Sequence, residues 1–286
     1  MSRSSLKVHA ICLALNEEMF IENTIRGLYD HCSGISIITQ YDRDFYNHYL
    51  IPDSTLTKIL GYPDPFGKIH IAVRRFKDET AARNQEMLAI CSNPTKGIQS
   101  HGNPLEEIRK FHETPDYFLI VDADEIYEPD VLAEMIQYLD HKRPNGMRTT
   151  GKQYRFTWNQ LIPKDIIHHH HFGFVKAGLL FEQRRVISWN EFRLQKLFRL
   201  LHLPDFSARL YRFIDCPEAI GVYHHGSYLG GRERLIQKFT MHSHPEIVLK
   251  PGYLDSISRL PFQYLSNDEI PEFIKNNRWP ANFFDQ

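Results

Sequence analysis

The chain has 286 residues, 42% of them hydrophobic, and its 34 Lys and Arg against 35 Asp and Glu leave a formal net charge of -1. That is enough apolar material for one full core, and it excludes a global field for drawing in nucleic acid or an anionic membrane, so any such partner needs a local patch. The apolar run from Val8 to Leu15 contains His9 and is too short for a membrane span or a signal-peptide core, and Cys12, Cys32, Cys91 and Cys216 are too scattered for a zinc knuckle or a disulfide framework, so the expected location is cytoplasmic.

Val8 to Leu15 reads as a first strand, and Asn16-Glu17-Glu18 supplies a capping residue and acids for a helix over about 18–32, stopped by Ser33-Gly34. A second strand follows at Ile35 to Thr39, then a polar, aromatic segment from Gln40 to Pro65. Lys68 to Arg74 reads as a third strand and Glu79 to Ile90 as a helix; Cys91 to Pro104 reads as a loop and Leu105 to Phe111 as helical. Tyr117 to Val121 is the clearest strand, and Pro129 starts a helix whose apolar face is Val131, Leu132, Met135, Ile136 and Leu139. Beyond Arg143 the pattern turns to aromatic and basic segments, expected as mixed strands and loops. Alternating strands and helices imply a mostly parallel sheet, which binds ligands at the carboxyl ends of its strands.

Asp122-Ala123-Asp124-Glu125 lies at such an end. Two carboxylates one residue apart at a backbone turn reach a common cavity and offer hard oxygen ligands to magnesium or manganese. Such an ion neutralises a departing diphosphate without a proton. The triplet alone is a weak signal; the strand before it and the helix after it give it weight.

Ala14-Leu15-Asn16-Glu17-Glu18, Ala82-Arg83-Asn84 and Asp122-Ala123-Asp124-Glu125 occur in the order seen in glycosyltransferase family 2, which the nucleotide half resembles. The segment Tyr223-His224-His225-Gly226-Ser227-Tyr228-Leu229-Gly230-Gly231, with Lys238 and His244 after it, is similar to family 17, the bisecting N-acetylglucosaminyltransferase relatives. The resemblance covers roughly residues 8–245 and implies an α/β fold of the GT-A, Rossmann-like type: a mostly parallel central sheet flanked by helices, with a mixed acceptor-side subregion. It implies a nucleotide-sugar-binding half at 1–145, an acceptor-side half completing the metal site at 146–250, and a tail at 251–286 serving as a lid or oligomer contact. Leu15 and Asn16 would border the nucleotide, Glu17 would lie near its base or ribose, and Asp42 or Asp44 would help there. Arg83 would approach the donor while Asn84 is structural. Asp122 would face the ribose or donor sugar, and Asp124 would be the more direct ligand of Mn2+ or Mg2+, with Glu125 in support.

His225 follows a strand ending at Tyr223, where an imidazole would complete the metal shell; His224 is the packing partner of the two. Arg232, Arg234 and Lys238 would contact the diphosphate, against a plain reading as a solvated basic face. The run His168-His169-His170-His171, alternating in a strand, sends two rings to each face and is not expected to form a specific metal site. An inverting transfer needs a general base for the acceptor hydroxyl, for which Glu191 is the candidate, with Asp165, Asp205 and Asp215 behind it. Trp158, Trp189 and Tyr228 are large aromatics suited to stack on a sugar or to fill the core. The expected activity moves a sugar from a nucleotide diphosphate, a UDP-sugar above all, to an acceptor hydroxyl with inversion. A sugar nucleotidyltransferase is the rival, though its first turn would be richer in glycine, and a non-catalytic carbohydrate-binding protein is the other. The acceptor stays open among glycans, proteins, small molecules and a modified nucleobase, the last disfavoured by the neutral charge.

Overall fold

In the computed structural model, the residues described are 6–40, 53–73, 75–92, 114–167, 169–183, 185–187, 212–240 and 252–284. The first strand, β1 (Val8–Leu13), is buried at every position, as are β2 (Gly34–Thr39) and all of β4 (Tyr117–Asp122) up to its last residue. Continuous apolar burial is what a parallel strand covered on both faces requires. The order along this half of the sheet is β3 (Ile69–Val73), β2, β1, β4, all parallel. Helix α1 (Ile21–Tyr29) covers one face, and α3 (Glu79–Ser92) packs against the strands on the other.

Three local expectations are corrected. Asn16 does not cap a helix; it stands in a left-handed turn, φ 52, a conformation Asn tolerates better than most residues, and α1 begins only at Ile21 after an uncapped Phe20. The segment from Gln40 to Pro65 contains a helix, α2 (Thr55–Gly61), too short for an amphipathic stripe to announce it. Its start braces the first turn: the Glu17 backbone N–H donates to Thr55 Oγ1 at 2.8 Å, and Ser54 Oγ donates to Glu18 Oε2 at 2.6 Å. The first strand ends at Leu13, two residues early, although the Ala14 N–H still donates to the Ile38 carbonyl. The helix assigned to residues 105–111 lies outside the described residues.

After β4 the chain makes β5 (Glu125–Ile126) and then α4 (Pro129–Lys142), which has Pro129 in its first turn as expected and ends at Arg143 in a left-handed conformation. The long strand β6 (Gly146–Phe156) and β8 (His169–Lys176) join the sheet antiparallel, β8 against β4 and β6 against β8. The sheet therefore runs unbroken past residue 145, with β7 (Gln160–Ile162) and β13 (Gln263–Tyr264) at its far edge. The short β9 (Phe181–Gln183) and β10 (Val186–Ile187) pair as a separate hairpin; β11 (Phe213–Asp215) runs parallel to the start of β6. Strand β12 (Tyr223–Leu229) lies parallel to the end of β6 and antiparallel to β5, and helix α5 (Gly231–Thr240) follows it.

The C-terminal segment, with α6 (Tyr253–Ser258) and α7 (Glu272–Lys275), packs on this same end. Ile270, Ile274 and Phe283 are buried against Phe20, Trp158 and Leu229. Arg26 Nη1 donates to Asn277 Oδ1 at 2.6 Å, so α1 holds the tail by a polar contact as well. Among the described residues no helix is long and apolar enough to cross a membrane, and the four cysteines are free thiols.

Candidate active site

The acids sit where four elements meet. Ala123 extends the β1–β4 pairing by donating its N–H to the Leu13 carbonyl, and the Ala123 carbonyl accepts from Thr24 Oγ1 of α1. Strand β5 then pairs Glu125 with His225 and Ile126 with His224, and the Gly226 N–H donates to the Asp124 carbonyl at 2.8 Å. Backbone pairing thus carries β12 and its histidines onto the acidic turn, although about a hundred residues separate them in sequence.

The two aspartates belong to different ion-pair networks. Asp122, at the strand end, gives one oxygen to Arg83 Nη2 at 2.7 Å and the other to Arg185 Nη2 at 3.1 Å. Arg83 is anchored from behind by Glu79 at 3.2 Å, and Arg185 also pairs with Glu125 Oε2 at 2.7 Å. His171 Nε2 lies 3.6 Å from Glu125 Oε1 and hydrogen-bonds the Tyr223 hydroxyl. Burial alone would raise the Glu125 carboxyl, but Arg185 and then His171 hold it far below the usual range; burial would lower the Arg185 value, and Asp122 and Glu125 push it well up. Of the three acids Asp122 is the accessible one, with 37% of its side chain exposed.

Asp124 belongs to the second network. Its Oδ2 accepts from Lys238 Nζ at 2.5 Å and Ser227 Oγ at 2.8 Å, and its Oδ1 faces His225 Nε2 at 3.6 Å. The same ammonium donates to Glu17 Oε1 at 2.7 Å, and Arg234 Nη2 reaches Glu17 Oε2 at 3.3 Å. Burial would raise Asp124, yet Lys238 and His225 hold it well below the carboxylate range. Glu17 is pushed up by burial in spite of Lys238, and His225 is raised by Asp124 against the effect of burial. Lys238 stays charged because Asp124 and Glu17 outweigh its desolvation.

Set against the expectations, the fold brings Glu17, Asp122, Asp124, His225 and Lys238 to one place, with Leu15 and Asn16 in the adjoining turn. Arg83, expected to approach the donor, is only 1% exposed and reaches outward through Asp122. Asn84 exchanges two hydrogen bonds with the Phe181 backbone. His224 is buried; its Nε2–H donates to Glu128 Oε1 at 2.9 Å and its Nδ1 accepts from the Tyr154 hydroxyl at 2.7 Å. Trp158 is fully buried between Tyr154 and Trp279, so it fills the core and offers no sugar platform. Asp215 pairs with Arg148 and His170, outside these networks, and Asp165 lies in the turn after β7. Asp42, Asp44, Trp189, Glu191, Asp205 and His244 lie outside the described residues. Arg185 and Ser227 join the site with no role expected of them from sequence, and His169 and His171 reach it from a run whose relevant face could not be told from parity alone.

No protein-family profile matches the chain, and no curated protein sequence does. Solved structures similar to it include glucosyl-3-phosphoglycerate synthase from Mycobacterium tuberculosis in complex with uridine diphosphate, at 14% identity and TM-score 0.41, covering 90% of this chain and 82% of that one. The same enzyme in complex with Mn2+, UDP-glucose and glycerol 3-phosphate is similar at 13% identity and TM-score 0.41, with the same coverage. A third is S. aureus TarS 1-349 in complex with UDP-GlcNAc, at 15% identity and TM-score 0.30, covering 52% of this chain and 34% of that one. The chain thus spans about a third of the length of the TarS chain it matches. At identities and TM-scores this low, function rests on the chemistry of the site itself.

That chemistry admits a divalent cation. Among the described residues no group of three His, Cys, Asp or Glu side chains is arranged to hold a metal. Asp124 Oδ1 and His225 Nε2 nevertheless face each other across 3.6 Å, a gap that an ion with bonds of about 2.0–2.2 Å closes. Two protein donors with the remaining positions left to phosphate oxygens and water is how magnesium is usually held at nucleotide sites.

Proposed function

We propose that the protein is a metal-dependent glycosyltransferase of the GT-A type that moves a sugar from a nucleotide diphosphate, a UDP-sugar, to an acceptor hydroxyl. The observation that carries this reading is the separation of the two aspartates: a buried Asp124 facing His225, beside an accessible Asp122 clamped by two guanidiniums. A single site thereby offers a cation position and, next to it, a rigid acceptor of hydrogen bonds for a sugar or ribose hydroxyl. Asp124 and His225 would hold Mn2+ or Mg2+, which supplies charge neutralisation for the departing diphosphate.

The chain's own groups do the rest. Asp122, fixed by Arg83 and Arg185, accepts from donor hydroxyls and sets the anomeric carbon in place. Lys238 and Arg234 put two positive charges beside Glu17 at the first turn, where Leu15 and Asn16 would border the base and ribose, a role assigned to Asp42 as well. Attack by the acceptor oxygen on the anomeric carbon breaks the bond to the diphosphate, which leaves with the electron pair; a general base takes the hydroxyl proton, and Glu191 is assigned that role, with inversion at carbon. The rival nucleotidyltransferase reading gains nothing from the first turn, whose left-handed position is Asn16 and not glycine.

The test is release of free nucleotide diphosphate from a panel of nucleotide sugars, with and without Mn2+, in the parent and in Asp124→Asn. Turnover that needs Mn2+ and drops by about 100-fold or more in the variant supports the reading, since one charged contact in a dry site is worth roughly 3 kcal/mol. Equal turnover in the two proteins, or none with any donor, would remove it.

A further inference from the structure

One feature of the sequence has no place in this function: the histidine run. Strand β8 begins at His169 and sends alternate rings to opposite faces. His170 points away from the acids, within 3.1 Å of Asp215 Oδ1 and 3.2 Å of Thr150 Oγ1. His169 and His171 point toward them. Strands β8 and β12 both flank β6, and Gly151 of β6 pairs with His169 on one side and Tyr223 on the other. A side chain at Gly151 would meet the Tyr223 ring at 2.5 Å, so the glycine lets the two neighbouring strands bring their rings together. The result is a perpendicular contact between His169 and His225, with centroids 4.4 Å apart and His169 Nε2 3.2 Å from His225 Nδ1.

A nitrogen–nitrogen contact of that length holds one proton, so one ring donates and the other accepts. The opposite nitrogen of His225, Nε2, faces Asp124 and lies 2.8 Å from Ser227 Oγ, whose own proton goes to Asp124 Oδ2. Imidazole binds a cation only through a nitrogen lone pair. His225 therefore serves as a ligand through Nε2 when its proton is on Nδ1, and that arrangement needs an acceptor at Nδ1. We propose that His169 is that acceptor: a positioning residue that fixes the tautomer and ring orientation of His225 for a divalent cation. The inference rests on the reading that Asp124 and His225 hold the ion.

The experiment measures Mn2+ affinity of the full chain in the presence of UDP, by the electron paramagnetic resonance of free Mn2+, in the parent and in His169→Phe, His169→Gln, His225→Ala and Asp124→Ala. His169→Phe keeps a ring without an acceptor and should weaken Mn2+ by 10- to 100-fold, about what loss of a supporting hydrogen bond behind a metal-bound histidine costs. His169→Gln, which keeps an acceptor oxygen, should stay within about threefold of the parent. Parent-like affinity in His169→Phe alongside loss in His225→Ala and Asp124→Ala would overturn the role of His169 and leave the metal reading standing. Parent affinity no better than that of Asp124→Ala would overturn both. Nitrogen-15 spectra of the parent with Mg2+ and UDP give an answer that does not depend on any variant folding: a proton on His225 Nδ1 is expected, and a proton on Nε2 overturns the proposal.

Discussion

Arg185 and Glu125 form an ion pair inside the protein, Nη2 to Oε2 at 2.7 Å, and both side chains are more than nine-tenths buried. The same nitrogen reaches Asp122, so one guanidinium offsets two carboxylates, and its other terminal nitrogen, Nη1, has no hydrogen-bond partner among the described residues. The pair lies directly under the accessible acid of the site, and its removal would be felt both in stability and in the position of Asp122.

Arg185→Met should therefore cost about 3–5 kcal/mol, the usual result of leaving a buried charge without its partner. Adding Glu125→Gln should recover part of the loss, because the second change removes the stranded charge. Urea denaturation of the two singles and the double closes the cycle. A loss under about 1 kcal/mol in the single Arg185 variant would mean that water or another cation already compensates Glu125.

The close approach of α1 to the acidic turn gives a second prediction. A Cβ on Gly27 would stand 2.2 Å from the Tyr127 carbonyl oxygen, and the obstacle is backbone, which cannot rotate away. Gly27→Ala should destabilise the protein by about 1–3 kcal/mol or more, although alanine is the better helix former by about 1 kcal/mol in an open site. Thermal unfolding decides the matter: a melting temperature at or above that of the parent would show that α1 and the turn move apart freely.

The N-terminal half was legible because β1, β2 and β4 are buried on both faces. Val8 to Leu13, interrupted only by His9, and Tyr117 to Val121 are apolar runs of strand length, and Pro129 marks a helix start by its missing N–H. The α2 helix was not legible, since a seven-residue helix leaves too few apolar positions to show a period. At the site, Asp122, Asp124 and His225 could be named from short motifs, but the pairing that joins them is a long-range register of β5 on β12. Arg185 had no signal at all: an arginine in a basic stretch looks solvated until the fold buries it. The histidine run was legible only in part: His169, His170 and His171 do alternate between faces, but the face that mattered could be known only from the strand beside it.

Stability should fall on acidification below neutrality. Burial, with His225 and His171 adding to it, lowers His169 from 6.5 to about 3, and burial also lowers His171 and His224. A histidine whose folded value is depressed stays neutral in the native state while the unfolded chain takes a proton. Its stabilisation is complete above about 6.5 and is lost as the pH falls toward the folded value. For His169 alone the slope is about 1.4 kcal/mol per pH unit in that window. His225 has the opposite sign: its folded value is raised, so its contribution is complete below 6.5 and is lost as the pH rises through the folded value. Denaturation midpoints at pH 7, 6 and 5 in chelator should decline in the parent and decline less steeply in His169→Gln; a flat profile would contradict the buried, neutral state of these rings.

Lys238 supplies the last prediction. Its ammonium bridges Glu17 Oε1 and Asp124 Oδ2, both carboxylates being buried, and Lys238→Met removes the charge while keeping most of the side-chain volume. Two buried carboxylates would then face each other with Arg234 and His225 as the remaining cations near them, and one of the acids should take up a proton. Glu17 is the candidate, since burial already holds its carboxyl above 4.5 even with Lys238 present. A carboxyl with a raised folded value stabilises fully below its unfolded value and loses that contribution as the pH rises through the folded one. The deficit of Lys238→Met relative to the parent should therefore be small near pH 5 and grow toward about 3–5 kcal/mol at pH 8, the cost of an uncompensated buried charge. Chemical denaturation of both proteins across that range reads the difference directly. A deficit that does not change with pH would mean that neither acid is protonated, and that the loss comes from packing of the Lys238 stem and not from charge.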